Sequence, residues 1–300
     1  MKVAITGCHG FVGRYLVDAM PKAEIIAIDR APAPPRFPIV ARTYITDLIS
    51  LDEVAEILRR EQPDRLIHLA SFSSVGYSWH EPIASFTNNT NIFLNVIECV
   101  RRYSAHTRVL SIGSSEQYGL VDELPLQETS PLRPLSPYAV ARVSQEQLGN
   151  VYARGYGLDL VNTRSFNHVG VGQSAQFVVS NIAKQFAERA PKLRIGTTSV
   201  IRDFLDVRDV VAAYLALLDR GERGEVYNIC SGRGTSIADI IRMLGTIAGY
   251  TPELETDPAL VRPVENSVVI GDHAKITAAV GWHPTIALED ALRSVYEAWK

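Results

Sequence analysis

Short apolar, β-branched runs alternate along the chain with stretches whose apolar positions recur at helical spacing. KVAIT at 2–6 is followed by FVGRYLVDAM, EIIAID at 24–29 by a break, and RTYIT at 42–46 by LDEVAEILRR. RLIHLA at 65–70, a long apolar helical pattern through NIFLNVIECVRR, RVLSIGS at 108–114, a helix from Ser136 to about Gly155, and LDLVNTRSF continue the order. Strand and helix in strict alternation predict an α/β chain with a parallel sheet covered on both faces. The runs at 2–6, 65–70 and 108–114 carry few charges, as strands buried on both faces must, and are expected at the centre of the sheet. After about residue 170 the alternation loosens into a helix over 175–190, a strand LRIG, the segment RDFLDVRDVVAAYLALL, a strand VYNIC and a helix SIADIIRMLGTIAG. That change predicts two domains: residues 1–166, and a smaller α/β substrate-binding domain over 167–300 whose segment at about 200–232 returns to the first. APAPPRFP at 31–38 is read as a surface loop, because proline lacks the N–H that a helix or a central strand needs.

Composition removes several classes of function. Thirty basic against 33 acidic residues give a formal charge of −3, which leaves no surplus to hold a phosphate backbone, so nucleic acid is not an expected partner. No apolar run approaches the roughly 20 residues that a bilayer requires. The start MKVAITGCHG lacks a secretory signal's basic-apolar-small order, so a cytoplasmic protein without membrane attachment is expected. Cys8, Cys99 and Cys230 are odd in number and without CxxC spacing, which points to a reducing compartment and to no structural metal. All three read as small packing residues.

The chemistry begins between the first strand and the first helix. In Thr6-Gly7-Cys8-His9-Gly10-Phe11-Val12-Gly13, Gly7 permits a tight turn, Gly10 lets the backbone approach a pyrophosphate, and Gly13 lets helix and strand pack closely. The helix opening at Phe11 and Val12 then faces the phosphates with unpaired N–H groups. This is the dinucleotide-binding arrangement of a Rossmann-type doubly wound sheet. Asp29 at the end of the second strand would accept the adenosine ribose hydroxyls of NAD, whereas Arg30 beside it would suit the 2′-phosphate of NADP. The expected cofactor is therefore NAD(P)H, with Asp29 favouring NAD.

Ser136-Pro137-Tyr138-Ala139-Val140-Ala141-Arg142 opens a helix with a serine cap and proline in the first turn. Tyr138 and Arg142 share one face, where a fixed cation would stabilise the phenolate of a tyrosine acting as general acid or base. Gly113-Ser114-Ser115-Glu116-Gln117-Tyr118-Gly119 lies at the carboxyl end of the fifth strand, where open α/β sheets place their ligands. Ser114 could polarise a substrate oxygen beside Tyr138. A desolvated Glu116 could exchange a proton, or serve equally as a loop carboxylate held by backbone N–H groups.

These stretches, with HLA at 68–70, RSFNHVGVGQ at 164–173, RDFLDVRDVV at 202–211, GEVYNICSG at 224–232 and RPVE at 262–265, make the whole chain resemble the extended short-chain dehydrogenase/reductases of nucleotide-sugar metabolism. Within them it is most similar to the branch of GDP-mannose 4,6-dehydratases and GDP-6-deoxy-4-keto-mannose reductases. The resemblance implies that Ser114, Tyr138 and Arg142 form the catalytic group. It implies further that Asp47, Leu48, Leu69 and Ala70 touch the cofactor and that Ser165 lies by the nicotinamide. Ser73, Ser115, Asn167, Val178, Arg202, Arg262 and Glu265 would line the nucleotide-sugar pocket. Forked arginines suit a diphosphate and a glutamate suits ribose hydroxyls, while ion pairs of Arg202 with Asp203 or Arg208 with Asp209 are the alternative.

The chain departs from the family pattern in three places. Arg142 stands where the family carries lysine, Val171 replaces a proline, and Gly196-Thr197 replaces glycine-asparagine before the arginine strand, a change that bears on base recognition. APAPPRFP also stands where the dehydratases of this branch carry a longer, arginine-rich insertion, which favours a 4-keto reductase. The implied reaction is NAD(P)H-dependent reduction of a GDP-4-keto-6-deoxyhexose to a GDP-6-deoxyhexose of the GDP-rhamnose type. In it hydride passes to C4, Tyr138 donates the proton, Ser114 orients the oxygen, and Arg142 holds the ribose and the tyrosine's charge. A dehydratase or epimerase is the enzymatic alternative, and a non-catalytic dinucleotide-binding regulator the remaining one. A homodimer through helices at about 82–103 and 136–155 is expected from the family.

Overall fold

The computed structural model describes residues 1–261 and 266–300, so Arg262 and Glu265 lie outside the described residues. Six strands, β1 (Lys2–Thr6), β2 (Glu24–Asp29), β3 (Arg42–Ile45), β4 (Arg65–His68), β5 (Arg108–Ser114) and β6 (Leu160–Ser165), join the strand Val226–Ile229 in a seven-stranded sheet. Its order is Val226–Ile229, β6, β5, β4, β1, β2, β3, and every pairing is parallel. The order reverses between β1 and β4, which opens a crevice at their carboxyl ends. Register brings Thr6 opposite His68 and Ser114 opposite Ser165, so these four side chains share that edge.

Two apolar layers explain the low charge of the central strands. Val3, Ile5, Ile67 and Leu110 face Leu16 and Val17 of the helix Phe11–Ala19 and Val210, Tyr214 and Leu217 of the helix Val207–Arg220. Ala4, Leu66 and Val109 face the helices Leu51–Glu61 and Ile92–Tyr103. Cys8, Cys99 and Cys230 are free and buried. Burial and then Asp29 push the Cys8 thiol up to about 12, and burial above all pushes that of Cys99 up to about 11.

Beyond β6 a strand Ile201–Asp206 pairs with Asn167–Val169, Gly234–Ser236 and Val268–Val269. The helices Val178–Ala187, Ile237–Ala248 and Leu288–Trp299 build a separate core around Ile182, Phe186, Leu244 and Leu292. The helix expected over 175–190 is shorter because Phe177 N donates to Ser174 O (3.1 Å) and closes a turn before it. The run RDFLDVRDVVAAYLALL divides at Asp206, whose carboxylate caps the helix by accepting from Arg208 N at 2.8 Å. That helix and the strand Val226–Ile229 pack with the main sheet, as do Ile276, Val280 and Trp282. Among the described residues no helix is long and apolar enough to cross a membrane.

Candidate active site

The glycine loop has the shape its sequence implies. Gly7 sits at φ +68, and a Cβ there would lie 2.8 Å from Ala70 Cα and N, so β1 turns hard against the Leu69-Ala70 segment. A Cβ on Gly13 would come within 2.0 Å of the Cys8 carbonyl oxygen. The helix Phe11–Ala19 starts at Gly10 with no side-chain cap and no acidic residue in its first turn. Its first amides therefore remain available to a phosphate, and the loop fits a dinucleotide. Asp29 grips the loop from β2: its carboxylate accepts from His9 N at 2.9 Å and from Ala31 N at 3.2 Å. Arg30 turns instead toward the loop after β4, its guanidinium 5.1 Å from the centre of the Phe72 ring.

Of the four residues expected around the rest of the cofactor path, Leu69 and Ala70 are half-buried beside Gly7, and Asp47 is an exposed loop carboxylate accepting from Ile49 N at 3.0 Å. Leu48 differs: its side chain belongs to the core with Val54, Ile57 and Leu58, and its carbonyl accepts from Asn95 Nδ2 at 2.9 Å.

At the carboxyl end of β5 the chain enters one 3-10 turn, Ser115–Tyr118. Ser114 caps it, its hydroxyl accepting from Glu116 N at 3.3 Å while its own N–H donates to Gln117 Oε1 at 2.9 Å. Gln117 Nε2 in turn donates to Glu146 Oε2 at 2.6 Å, and Glu146 is paired through both oxygens with Arg164 at 2.7 and 2.8 Å. The serine is thus fixed through a buried chain that reaches the helix Pro137–Gly155 and β6.

That helix carries Tyr138 and Arg142, both buried. Ser136 Oγ accepts from Ala139 N at 3.1 Å and Pro137 fills the first turn, the predicted start. The Arg142 guanidinium carbon lies 5.2 Å from the centre of the Tyr138 ring. Ser165 faces the same place from β6, its hydroxyl 2.6 Å from that of Tyr214. His68 sits beneath, 2.9 Å from Thr6 Oγ1 through Nδ1. Burial, and then the Arg142 charge, hold the His68 imidazole down at about 3, so the ring is neutral.

Beside the Ser114 turn opens a cleft of about 550 Å³ that includes open solvent. Ser115, Glu116, Asn167 and Arg202, all expected from the sequence, line it. Period-two alternation puts Arg202 and Asp203 on opposite faces of their strand. Asp203 is committed elsewhere, to Ser231 N and Oγ, Gly232 N and Gly271 N. Arg208 pairs with Asp206 at 2.8 Å, not with Asp209. Val75, Trp79, Leu135, Asn266 and Val269 also line the cleft, and none carries a local signal of that role. Ser73 is exposed in the loop after β4 and Val178 opens a helix 37% exposed; neither is in this lining.

The model of the GDP-mannose 4,6 dehydratase family matches residues 4–295. A GDP-6-deoxy-D-mannose reductase from Pseudomonas aeruginosa is 35% identical over 100% of this chain and 97% of its own length. A GDP-mannose 4,6-dehydratase from Yersinia enterocolitica is 27% identical over 81% of this chain and 75% of its own. Among solved structures, RMD from Pseudomonas aeruginosa complexed with NADPH superposes with a TM-score of 0.87 at 33% identity, covering 99% of this chain and 98% of that one. UDP-glucose 4-epimerase from Thermotoga maritima with UDP-glucose gives 0.93 at 28%, over 100% and 98%.

Proposed function

Because the chain belongs to the GDP-mannose 4,6-dehydratase family, we propose that it is the NAD(P)H-dependent reductase of a GDP-4-keto-6-deoxyhexose, forming a GDP-6-deoxyhexose of the GDP-rhamnose type. The observation that carries this reading is the junction of two features at one point. Ser114, paired with Ser165 at the carboxyl edge of the sheet, and Tyr138, in the first turn of its helix, directly adjoin Ser115 and Ser136, which line a cleft together with Asn167 and the Arg202 cation. The full-length likeness to a reductase at 35% identity supports the direction of the chemistry.

When bound, the reduced nicotinamide supplies the hydride. The chain does the rest. Gly7, Gly10 and the amides of Phe11, Val12 and Gly13 would hold the pyrophosphate, and Asp29 would accept from the adenosine ribose. Ser114, already locked by Gln117, directs its hydroxyl at the sugar's C4 oxygen. Tyr138 donates the proton to the oxygen as negative charge develops on it, and Arg142 keeps a permanent cation beside the ring. Arg202 meets the diphosphate with forked donors. Ser115 and Asn167 position the sugar through hydrogen bonds, and Ser165 would border the nicotinamide.

The dehydratase reading has one observation in its favour: Glu116 reaches the cleft, where it could serve in an elimination. One assay separates the two. Loss of reduced-nicotinamide absorbance with GDP-4-keto-6-deoxymannose is the expected result. A keto sugar formed from GDP-mannose, without net cofactor consumption, would instead establish the dehydratase. Interconversion of two nucleotide sugars without consumption would establish an epimerase. Carried out with NADH and with NADPH, the same assay decides between the Asp29 and Arg30 preferences. We also propose a cytoplasmic location, which fractionation of cells tests, and a homodimer, which sedimentation of the pure protein tests.

A further inference from the structure

Three residues after Arg142 the same helix buries a glutamine. Gln145 is 1% exposed, and both ends of its amide are in use. Its Nε2 donates to Ser111 Oγ at 2.9 Å and to the Ile112 carbonyl at 3.1 Å, two bonds to β5. The amide is thereby oriented, since only its oxygen is left to face an arginine. Gln145 Oε1 accepts from Arg142 Nη1 at 2.5 Å, and that nitrogen also reaches the Ile112 carbonyl at 3.1 Å. Arg142 Nε is buried with no hydrogen-bond partner among the described residues. The bonds at Nη1 are therefore what holds the guanidinium over the Tyr138 ring.

A planar fork needs such a hold more than an ammonium does. Lysine presents a compact charge with rotatable donors, whereas the donors of arginine point only where its plane points. An acceptor at one end of the fork fixes that plane. We infer that Gln145, anchored on Ser111, is the positioning residue that makes an arginine serviceable beside Tyr138, holding Arg142 toward the catalytic edge and the nicotinamide ribose of the cofactor. The inference rests on the cofactor site proposed above and deepens it.

The test is the dissociation constant of the reduced dinucleotide, by titration calorimetry with NADH and NADPH, in a cycle of single and double variants. Gln145→Met should weaken binding by about tenfold, the worth of one charge-assisted bond, and Ser111→Ala by about threefold. In an Arg142→Lys background each should change affinity by less than about twofold, because lysine has no plane to be held. Thermal melting of each variant checks that it folds, and the conservative Ser111→Ala keeps the cycle informative if Gln145→Met does not. Equal losses in both backgrounds would reduce Gln145 to a packing residue and overturn the inference, as would unchanged affinity in the Arg142 protein. Coupling in affinity without turnover of the keto sugar would keep the inference and sink the proposed reaction; turnover without coupling would do the reverse.

Discussion

Glu146→Leu should cost far more stability than an ordinary surface change, and the structure says why. Glu146 and Arg164 are 4% and 5% exposed and meet through two parallel bonds at 2.7 and 2.8 Å. Removing the carboxylate strands a buried guanidinium whose remaining partners are the Glu128 carbonyl at 3.0 Å and the Tyr118 ring at 4.8 Å. Breaking a buried pair from one side costs about 3–5 kcal/mol, whereas replacing both partners by apolar groups is often nearly neutral. Urea unfolding followed by tryptophan fluorescence should therefore show a large loss in Glu146→Leu and recovery of most of it in Glu146→Leu with Arg164→Met. Turnover should not recover in the double variant. Gln117 still lacks the Glu146 acceptor that holds it against Ser114, so kcat stays about tenfold down, the worth of one such bond. A single-variant loss below about 1 kcal/mol, or a double variant no more stable than the single, would refute the reasoning on the ion pair. Recovery of kcat in step with stability would refute the link to Ser114.

Tyr138→Phe removes the proposed proton donor and should abolish keto-sugar reduction while cofactor affinity, read by calorimetry, changes little; sustained turnover would remove Tyr138 from the mechanism. Gly13→Ala places a Cβ within 2.0 Å of the Cys8 carbonyl, backbone that cannot yield cheaply, so both melting temperature and dinucleotide binding should fall, and a wild-type melt would contradict the packing. Arg202→Ala should raise the KM for the nucleotide sugar by about 10- to 100-fold while leaving the KM for the cofactor within about twofold, the value of a charged bond to phosphate. His68 is neutral in the fold, held at about 3, against about 6.5 when unfolded. Its folded value is depressed and its charged form is the protonated one, so the unfolded state takes up the extra proton. Stability must fall as pH drops through 6.5 toward 3, by up to about 1.4 kcal/mol per pH unit. Acid unfolding of His68→Gln should show a shallower slope across that window, and an identical slope would mean that His68 does not contribute.

What local chemistry dictates was readable in the chain. A β-branched run, a glycine loop and an amphipathic helix specify a strand, a turn and a helix within a few residues of one another. The same locality fixes the Ser136 cap and the shared face of Tyr138 and Arg142. The helices Ala274–Val280 and Leu288–Trp299, by contrast, were not singled out by their pattern. Nor could the cleft be read: Val75 and Trp79 stand on one short helix, Val75–His80, while Leu135 and Asn266 come from two distant loops, and no local pattern reports that they meet. Gln145 is the sharpest case, for along the chain it is one more polar helix position, and only the pairing of helix with β5 turns it toward Arg142. The sequence by itself determined the sheet and the glycine turn between its first strand and first helix, because those depend on short-range sterics and hydrophobic period, whereas the choice of reactive side chains rests on the family resemblance and belongs to the proposed function. The tertiary structure alone decided which polar groups are buried together, since burial and hydrogen-bond partnership arise from long-range packing that no local pattern encodes.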